Sequence, residues 1–143
     1  EGADIESTSN VKAYYKDFVR LMNYMGKKLE LEDSVFENPN GLDLDDFAGN
    51  LHSTASDVVK MARYIMQNPD FANIVKMPTE ELNLDREGKI FVDKLISTNI
   101  LLTAYDGVYG IKTGYTEYAG NCFCGAVDLE GTHLYSVVLG SYT

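Results

Sequence analysis

The sequence predicts an α+β fold, because helical periodicity dominates its first half and strand-like runs dominate its second. From Ser9 to Leu29, apolar residues recur at spacings of three and four, which is typical of one face of a helix. After residue 107 the pattern changes to short apolar runs at 108–113, 121–127 and 133–139. Asp128-Leu129-Glu130-Gly131 supplies the turn between the last two runs. Helices followed by a three-stranded antiparallel meander belong to the α+β class.

The first helix is predicted to begin with Ser9 as its N-cap and to end near Gly26, a residue type that commonly terminates helices. Residues 32–50 are expected to form a loop. Asn38-Pro39-Asn40-Gly41 gives a strong turn signal there, and an acidic run follows it.

The second helix is predicted to begin at Thr54, whose hydroxyl can accept a hydrogen bond from the Asp57 amide in a variant of the capping box. Its apolar face continues to Met66, and it stops before Asn68-Pro69. A shorter helix is predicted through residues 71–75.

A β-hairpin is predicted next, with residues 80–84 and 89–92 flanking Asp85-Arg86-Glu87-Gly88. Residues 97–105 give an ambiguous pattern. We expect one domain over residues 1–143, with a helical part at about 1–77 and a hairpin and sheet part at about 78–143.

The formal charge of −10 argues against nucleic acid and anionic membrane surfaces as partners, because both require positive potential. No stretch is long and apolar enough to span a bilayer. The chain begins without an initiator Met or a signal-like segment, so we interpret it as a mature piece or a fragment.

The sequence predicts no metal site. Cys122 and Cys124 are interpreted as small core residues, because a disulfide between residues i and i+2 of a strand is strained. Asp43-Leu44-Asp45-Asp46 lacks the glycine and glutamate that a calcium loop requires further on. His52 and His133 have no ordered spacing and are expected at or near the surface.

The run Gly110-Ile111-Lys112-Thr113-Gly114-Tyr115-Thr116 is the candidate binding site. A buried strand has no use for an ammonium group, and glycines weaken a strand unless something approaches its backbone closely. In so acidic a chain, an anionic ligand requires a specific local cation, and Lys112 can provide it. The alternative is that Lys112 extends from a surface strand into solvent.

The chain matches all three signatures of penicillin-interacting enzymes: Ser9-Asn10-Val11-Lys12 fits Ser-x-x-Lys, Ser97-Thr98-Asn99 fits Ser-x-Asn, and Lys112-Thr113-Gly114 is the third. We expect the first match to be coincidental, because a working nucleophile begins a buried helix and Ser9 is expected to be a cap.

Several segments resemble motifs of the serine-type D-alanyl-D-alanine carboxypeptidases, the low-molecular-mass penicillin-binding proteins of peptidase family S11. They occur in family order over nearly the whole chain: Asn38-Pro39-Asn40-Gly41-Leu42-Asp43, Ser53-Thr54-Ala55-Ser56-Asp57 through Tyr64, Ser97-Thr98-Asn99-Ile100-Leu101-Leu102, Asp106 through Thr116, and Ala119-Gly120-Asn121-Cys122. Two positions depart from the family pattern: Asn40 replaces a histidine, and Tyr109 replaces a frequent aspartate.

The resemblance implies that residues 1–143 are the C-terminal part of one catalytic domain with a partial β-lactamase/transpeptidase-like fold. In the family, the nucleophile-bearing Ser-x-x-Lys helix and the Ser-x-Asn turn precede the segment that begins at Glu1. Ser9 and Ser97 match neither. By this interpretation the portion that carries the nucleophile is absent from the chain.

The resemblance also implies an activity, namely acyl transfer through a serine ester from peptidoglycan stem peptides ending in D-Ala-D-Ala, with no cofactor. Lys112 and Thr113 would be catalytic, and together with Gly114 and Tyr115 they would bind substrate. The Tyr115 backbone N–H would be an oxyanion donor.

We expect β-lactam antibiotics to inhibit the intact enzyme, which would act outside the cytoplasm, secreted or anchored at the cell-wall face. The 143-residue chain alone is expected to be inactive, and an unpaired sheet edge could join two copies. A β-lactamase is a variant of this hypothesis. The alternatives are a non-catalytic module that binds cell-wall peptide or a partner, and a subdomain with no activity of its own.

Overall fold

The structure, a computed structural model, describes residues 3–43 and 50–142. These residues contain two antiparallel sheets and four helices. The elements in chain order are α1 (Ala3–Lys28), α2 (Ala55–Ile65), α3 (Pro69–Val75), β1 (Thr79–Arg86), β2 (Lys89–Ile96), α4 (Leu101–Ala104), β3 (Val108–Thr116), β4 (Gly120–Leu129) and β5 (Thr132–Ser141). β1 and β2 form a hairpin, and the larger sheet has the order β3-β4-β5. The predicted α+β class and three-stranded meander are confirmed.

Helix α1 is longer than predicted at both ends. It begins at Ala3, so the expectation that Ser9 caps it is wrong: an N-cap residue stands at the start of a helix, and the backbone of Ser9 lies inside this one. Gly26 lies inside the helix and is buried. Glu30 makes the terminating left-handed turn instead, with φ of 56°.

Helix α2 begins as predicted. Thr54 is its N-cap, and the Thr54 hydroxyl accepts a hydrogen bond from Asp57 N at 3.2 Å. The carboxylate of Asp57 is buried and joins α2 to the chain that follows α1: Oδ2 accepts from Asp33 N and from Ser34 Oγ, both at 2.9 Å. Lys60 Nζ lies 3.3 Å from Oδ1.

These contacts determine the direction of the Asp57 pKa shift. Burial by itself raises the pKa, but the hydrogen bonds from Asp33 and Ser34 and the Lys60 ammonium outweigh it, so the pKa of Asp57 lies below its usual value.

The larger sheet has two different faces. One, which we call the covered face, lies under α2 and α3 and includes Cys124 and Ala126 of β4, which are 9% and 2% exposed. The other, the open face, includes Leu134 and Val138 of β5, which remain 48% and 50% exposed.

An apolar cavity of about 510 Å³ lies on the open face. Phe123 contributes to its lining, and its ring lies over Gly125, where an added Cβ would be 2.7 Å from Phe123 Cε1. Any larger side chain at Gly125 would therefore displace this ring.

Both cysteines have free thiols, as predicted. Cys124 is buried and Cys122 is half-buried, and burial raises the pKa of the Cys124 thiol. Leu44, Asp45 and Asp46 of the acidic loop lie outside the described residues. Among the helices that the structure describes, none combines the length and apolar character needed to cross a membrane.

Candidate active site

Strand β3 carries the four predicted site residues in sequence, Lys112, Thr113, Gly114 and Tyr115, and forms one edge of its sheet. Within the described chain, β3 is paired along one side only, with β4. The backbone groups on its other side can therefore bind an extended peptide as an additional strand.

All four residues line one cavity of about 820 Å³. Its other wall is the turn and short helix that precede β3, at residues 98–101, and its floor comes from β4 and β5. Lys112 carries the only charge among the described lining residues, and no carboxylate is present among them. In a chain of net charge −10, this cavity is a local exception that favours an anion.

Lys112 is solvent-exposed in this chain, and its ammonium donates a hydrogen bond to the carbonyl of the following residue, Thr113. The ammonium therefore lies against the edge strand rather than extending away from it. Because Lys112 also lines the cavity, this placement supports the binding interpretation over that of a lysine that only extends into solvent.

Thr113 is half-buried, and its hydroxyl oxygen lies 2.5 Å from that of Thr98. The sequence alone predicted no role for Thr98, because it lies 15 positions before Thr113 and no local pattern pairs the two. The only signal was the motif resemblance at Ser97-Thr98-Asn99.

Glycine is present at two positions of β3 for different structural reasons. A Cβ at Gly110 would lie 3.0 Å from Val75 Cγ2 of α3, so glycine allows helix and strand to approach closely. A Cβ at Gly114 would have no described atom within 4 Å. Packing within this chain therefore does not require glycine at 114, and the space beside it is open to a ligand.

Ser97 is not among the described residues that line this cavity. Ser97 Oγ accepts a hydrogen bond from Asn99 N at 3.2 Å and so closes its own turn. The backbone of Ser9 lies within α1. The structure thus gives Ser97 a local structural role.

The two departures from the family pattern have local partners. Asn40 Oδ1 accepts from Leu42 N at 3.0 Å, inside a loop that the buried Asn38 closes with bonds to Gly41 N and Leu42 O. The hydroxyl of Tyr109 lies 3.1 Å from His133 Nδ1. The partial burial of Tyr109 and its proximity to a neighbouring tyrosine and aspartate raise its pKa.

Asn99 was noted in the sequence only as part of the Ser97-Thr98-Asn99 motif, and its structural role was not predicted. Its side chain is buried, 6% exposed, and Oδ1 accepts from Leu101 N at 3.2 Å at the start of α4. Its Nδ2 has no partner in the described part of the chain. Asn99 shapes the turn that carries Thr98.

The sequence of the chain is similar to those of known D-alanyl-D-alanine carboxypeptidases. A family model described as D-alanyl-D-alanine carboxypeptidase matches residues 6–143. D-alanyl-D-alanine carboxypeptidase DacF of Bacillus subtilis is 28% identical over 99% of this chain and 34% of its own length. The D-alanyl-D-alanine carboxypeptidase of Streptomyces sp. K15 is 30% identical over 94% of this chain and 46% of its own length.

The fold of the chain is also similar to solved structures of this kind. The crystal structure of the Streptomyces K15 DD-transpeptidase superimposes with a TM-score of 0.83 at 30% identity, covering 90% of this chain and 48% of that one. A penicillin-binding protein homologue from Mycobacterium tuberculosis gives a TM-score of 0.76 at 30% identity, covering 87% and 45%. The predicted transpeptidase-like fold is confirmed.

The chain spans between a third and a half of the length of these relatives. The family model, by contrast, matches almost every residue of the chain, including the whole of β3 with its Lys-Thr-Gly run. The chain therefore belongs to the D-alanyl-D-alanine carboxypeptidase family, peptidase family S11.

Proposed function

We propose that the protein is a serine-type D-alanyl-D-alanine carboxypeptidase that cleaves the terminal D-alanine from peptidoglycan stem peptides. This chain contributes the strand that binds the end of the peptide. The observation that carries the proposal is the cavity beside β3. Within the described chain the edge of β3 is unpaired there, and Lys112 is the single charged residue of the described lining.

The chemistry proceeds in two steps. A serine Oγ attacks the carbonyl carbon between the two D-alanines, the C–N bond breaks, and the departing D-alanine takes a proton on its nitrogen. Water then attacks the resulting ester, which releases the shortened peptide and restores the serine hydroxyl.

We propose that the serine and its activating lysine come from a Ser-x-x-Lys segment outside these 143 residues. The greater length of the relatives supports this, as does the absence of Ser97 from the cavity lining. Residues 1–143 would then be one part of a single catalytic domain.

Lys112 and Thr113 act on the carboxylate at the peptide terminus. Lys112 supplies the positive charge, and the Thr113 hydroxyl donates a hydrogen bond to the same group. The peptide lies along β3, where Gly114 leaves room for its backbone, and Tyr115 N–H donates to the oxygen that becomes negative in the transition state.

Covalent labelling with a fluorescent penicillin tests the proposal, because a β-lactam acylates the same serine. We expect the gene product read from its start codon to be labelled and the 143-residue chain alone to remain unlabelled. Lys112→Gln should slow labelling by about 10²-fold, since it removes the only cation among the described lining residues of the cavity.

Lys89→Gln is the matched control, because Lys89 is an exposed lysine at the turn of the β1–β2 hairpin. Equal loss in both variants would contradict the role of Lys112. An unlabelled gene product that still binds D-Ala-D-Ala peptides would instead establish the non-catalytic binding module.

We further propose that the protein acts outside the cytoplasm, at the face of the cell wall, and that the unpaired edge of β5 can join two copies. In the described residues, β5 pairs only with β4. Cell fractionation tests the location, and analytical ultracentrifugation tests the dimer. A strictly monomeric protein at all concentrations would refute the second of these.

A further inference from the structure

The contact between Thr98 and Thr113 joins two hydroxyl groups across the wall of the cavity. Their oxygens are 2.5 Å apart, and both residues line the cavity with Lys112. A hydroxyl has one proton and two lone pairs, so only one of the pair can donate in this contact. The direction of that donation decides what Thr113 can offer a ligand.

The turn that carries Thr98 is fixed on both sides. Ser97 N donates to Pro78 O at 2.8 Å, and Ser97 Oγ accepts from Asn99 N. The buried Asn99 then accepts from Leu101 N at 3.2 Å. Backbone and side-chain bonds thus hold the position of Thr98 before any ligand arrives.

A carboxylate accepts hydrogen bonds and cannot donate them. If Thr113 donated to Thr98, it would present only lone pairs to the carboxylate, which would repel it. If Thr98 donates to Thr113, the Thr113 proton is free to point at the carboxylate. Consecutive hydrogen bonds from Thr98 to Thr113 and from Thr113 to the carboxylate polarise one another, and each strengthens the other.

We propose that Thr98 is a positioning residue that turns the Thr113 hydroxyl into a donor toward the carboxylate of the bound peptide. The inference rests on the proposed function. It adds a specificity element: Thr98 makes the site select peptides with a free terminal carboxylate over otherwise identical peptides in which that group is an amide.

The test measures hydrolysis by the gene product read from its start codon. Two substrates are compared, an N-acylated peptide ending in D-Ala-D-Ala and the same peptide with its terminal carboxylate amidated. Thr98→Val keeps the shape of the side chain and removes its hydroxyl. We expect it to lower kcat/KM about tenfold for the free acid and to leave the amide nearly unchanged.

Thr98→Ser restores a hydroxyl and should recover most of the loss. Thr103→Val is the matched control: Thr103 lies on α4, its hydroxyl donates to Ile100 O at 3.2 Å, and it is not among the lining residues. This control should leave the preference for the free acid intact.

A Thr98→Val variant that loses activity equally on both substrates, or on neither, overturns the inference while leaving the proposed function in place. If the unaltered protein hydrolyses neither substrate and resists penicillin labelling, the proposed function itself fails, and the role of Thr98 fails with it.

Discussion

The covered and open faces of the β3–β5 sheet are made from the same strands, yet they have different surroundings. Side chains of β4 alternate between them, so Cys124 and Ala126 point to one face while Phe123 and Val127 point to the other. Helices α2 and α3 bury the first face, whereas the second contains an apolar cavity of about 510 Å³.

This difference shows which face of the sheet the described chain buries with its own helices. Apolar residues on both faces are typical of a sheet buried on both sides. The described chain covers only one of them, and stability in the 143-residue chain should therefore depend mainly on the covered face.

The largest effect should follow from placing a charge on each face in turn. Ala126→Asp introduces a carboxylate at a position 2% exposed and should cost at least about 3 kcal/mol in the free energy of unfolding. Val138→Asp, at 50% exposed, should cost about 1 kcal/mol or less. Urea denaturation of the 143-residue chain, followed by circular dichroism, measures both.

Equal costs for the two variants would contradict the different burial of the two faces. The same two variants can be measured in the gene product read from its start codon. A strongly increased cost of Val138→Asp there would show that another part of the protein covers the open face.

The next effect concerns the attachment of α2, the main cover of the sheet. Asp57→Asn weakens the bonds from Asp33 N and Ser34 Oγ and removes the attraction to Lys60, so the melting temperature should fall. Because folding lowers the pKa of Asp57, its stabilising effect is complete above its ordinary value of 3.8 and is lost as the pH falls below it.

Melting temperatures of the parent and Asp57→Asn chains, measured from pH 7 down to pH 2, should therefore converge in acid. Ser56→Ala, at an exposed position of the same turn, is the control. A difference between parent and variant that stayed constant over this range would contradict the ionic role of Asp57.

The smallest effect should come from the cap of α2. Thr54→Ala removes the acceptor for Asp57 N and should cost about 1 kcal/mol, while Thr54→Ser should retain most of the stability. The urea midpoints of the two variants test this. If the serine variant were as unstable as the alanine variant, packing of the Thr54 methyl group would be the cause instead.

Local signals in the sequence predicted the start or end of an element well where a single side chain caps that element. Thr54 caps α2 through a bond to a residue three positions away, and such a bond can be read from the sequence. The end of α1 was harder, because Gly26 suggested a terminus that Glu30 in fact provides. A non-glycine residue with positive φ leaves no clear mark in a sequence.

In the candidate site, too, local features could be predicted from the sequence and tertiary contacts could not. Lys112 through Tyr115 could be predicted because they are consecutive on one strand. The partnership of Thr98 with Thr113 depends on how α4 and its preceding turn pack against β3, and that packing is tertiary. The anchoring of Asp57 to Asp33 spans 24 positions and was missed for the same reason.

The absence of carboxylates from the described lining of the β3 cavity has a kinetic consequence. The rest of this chain is acidic enough to push an anionic peptide away before contact, at net charge −10. At physiological ionic strength, salt screens forces between charges that lie more than about 8 Å apart. It would weaken the proposed short contact between Lys112 and the peptide far less. Moderate salt should thus speed the encounter with an anionic peptide, the reverse of what an attractive surface would show.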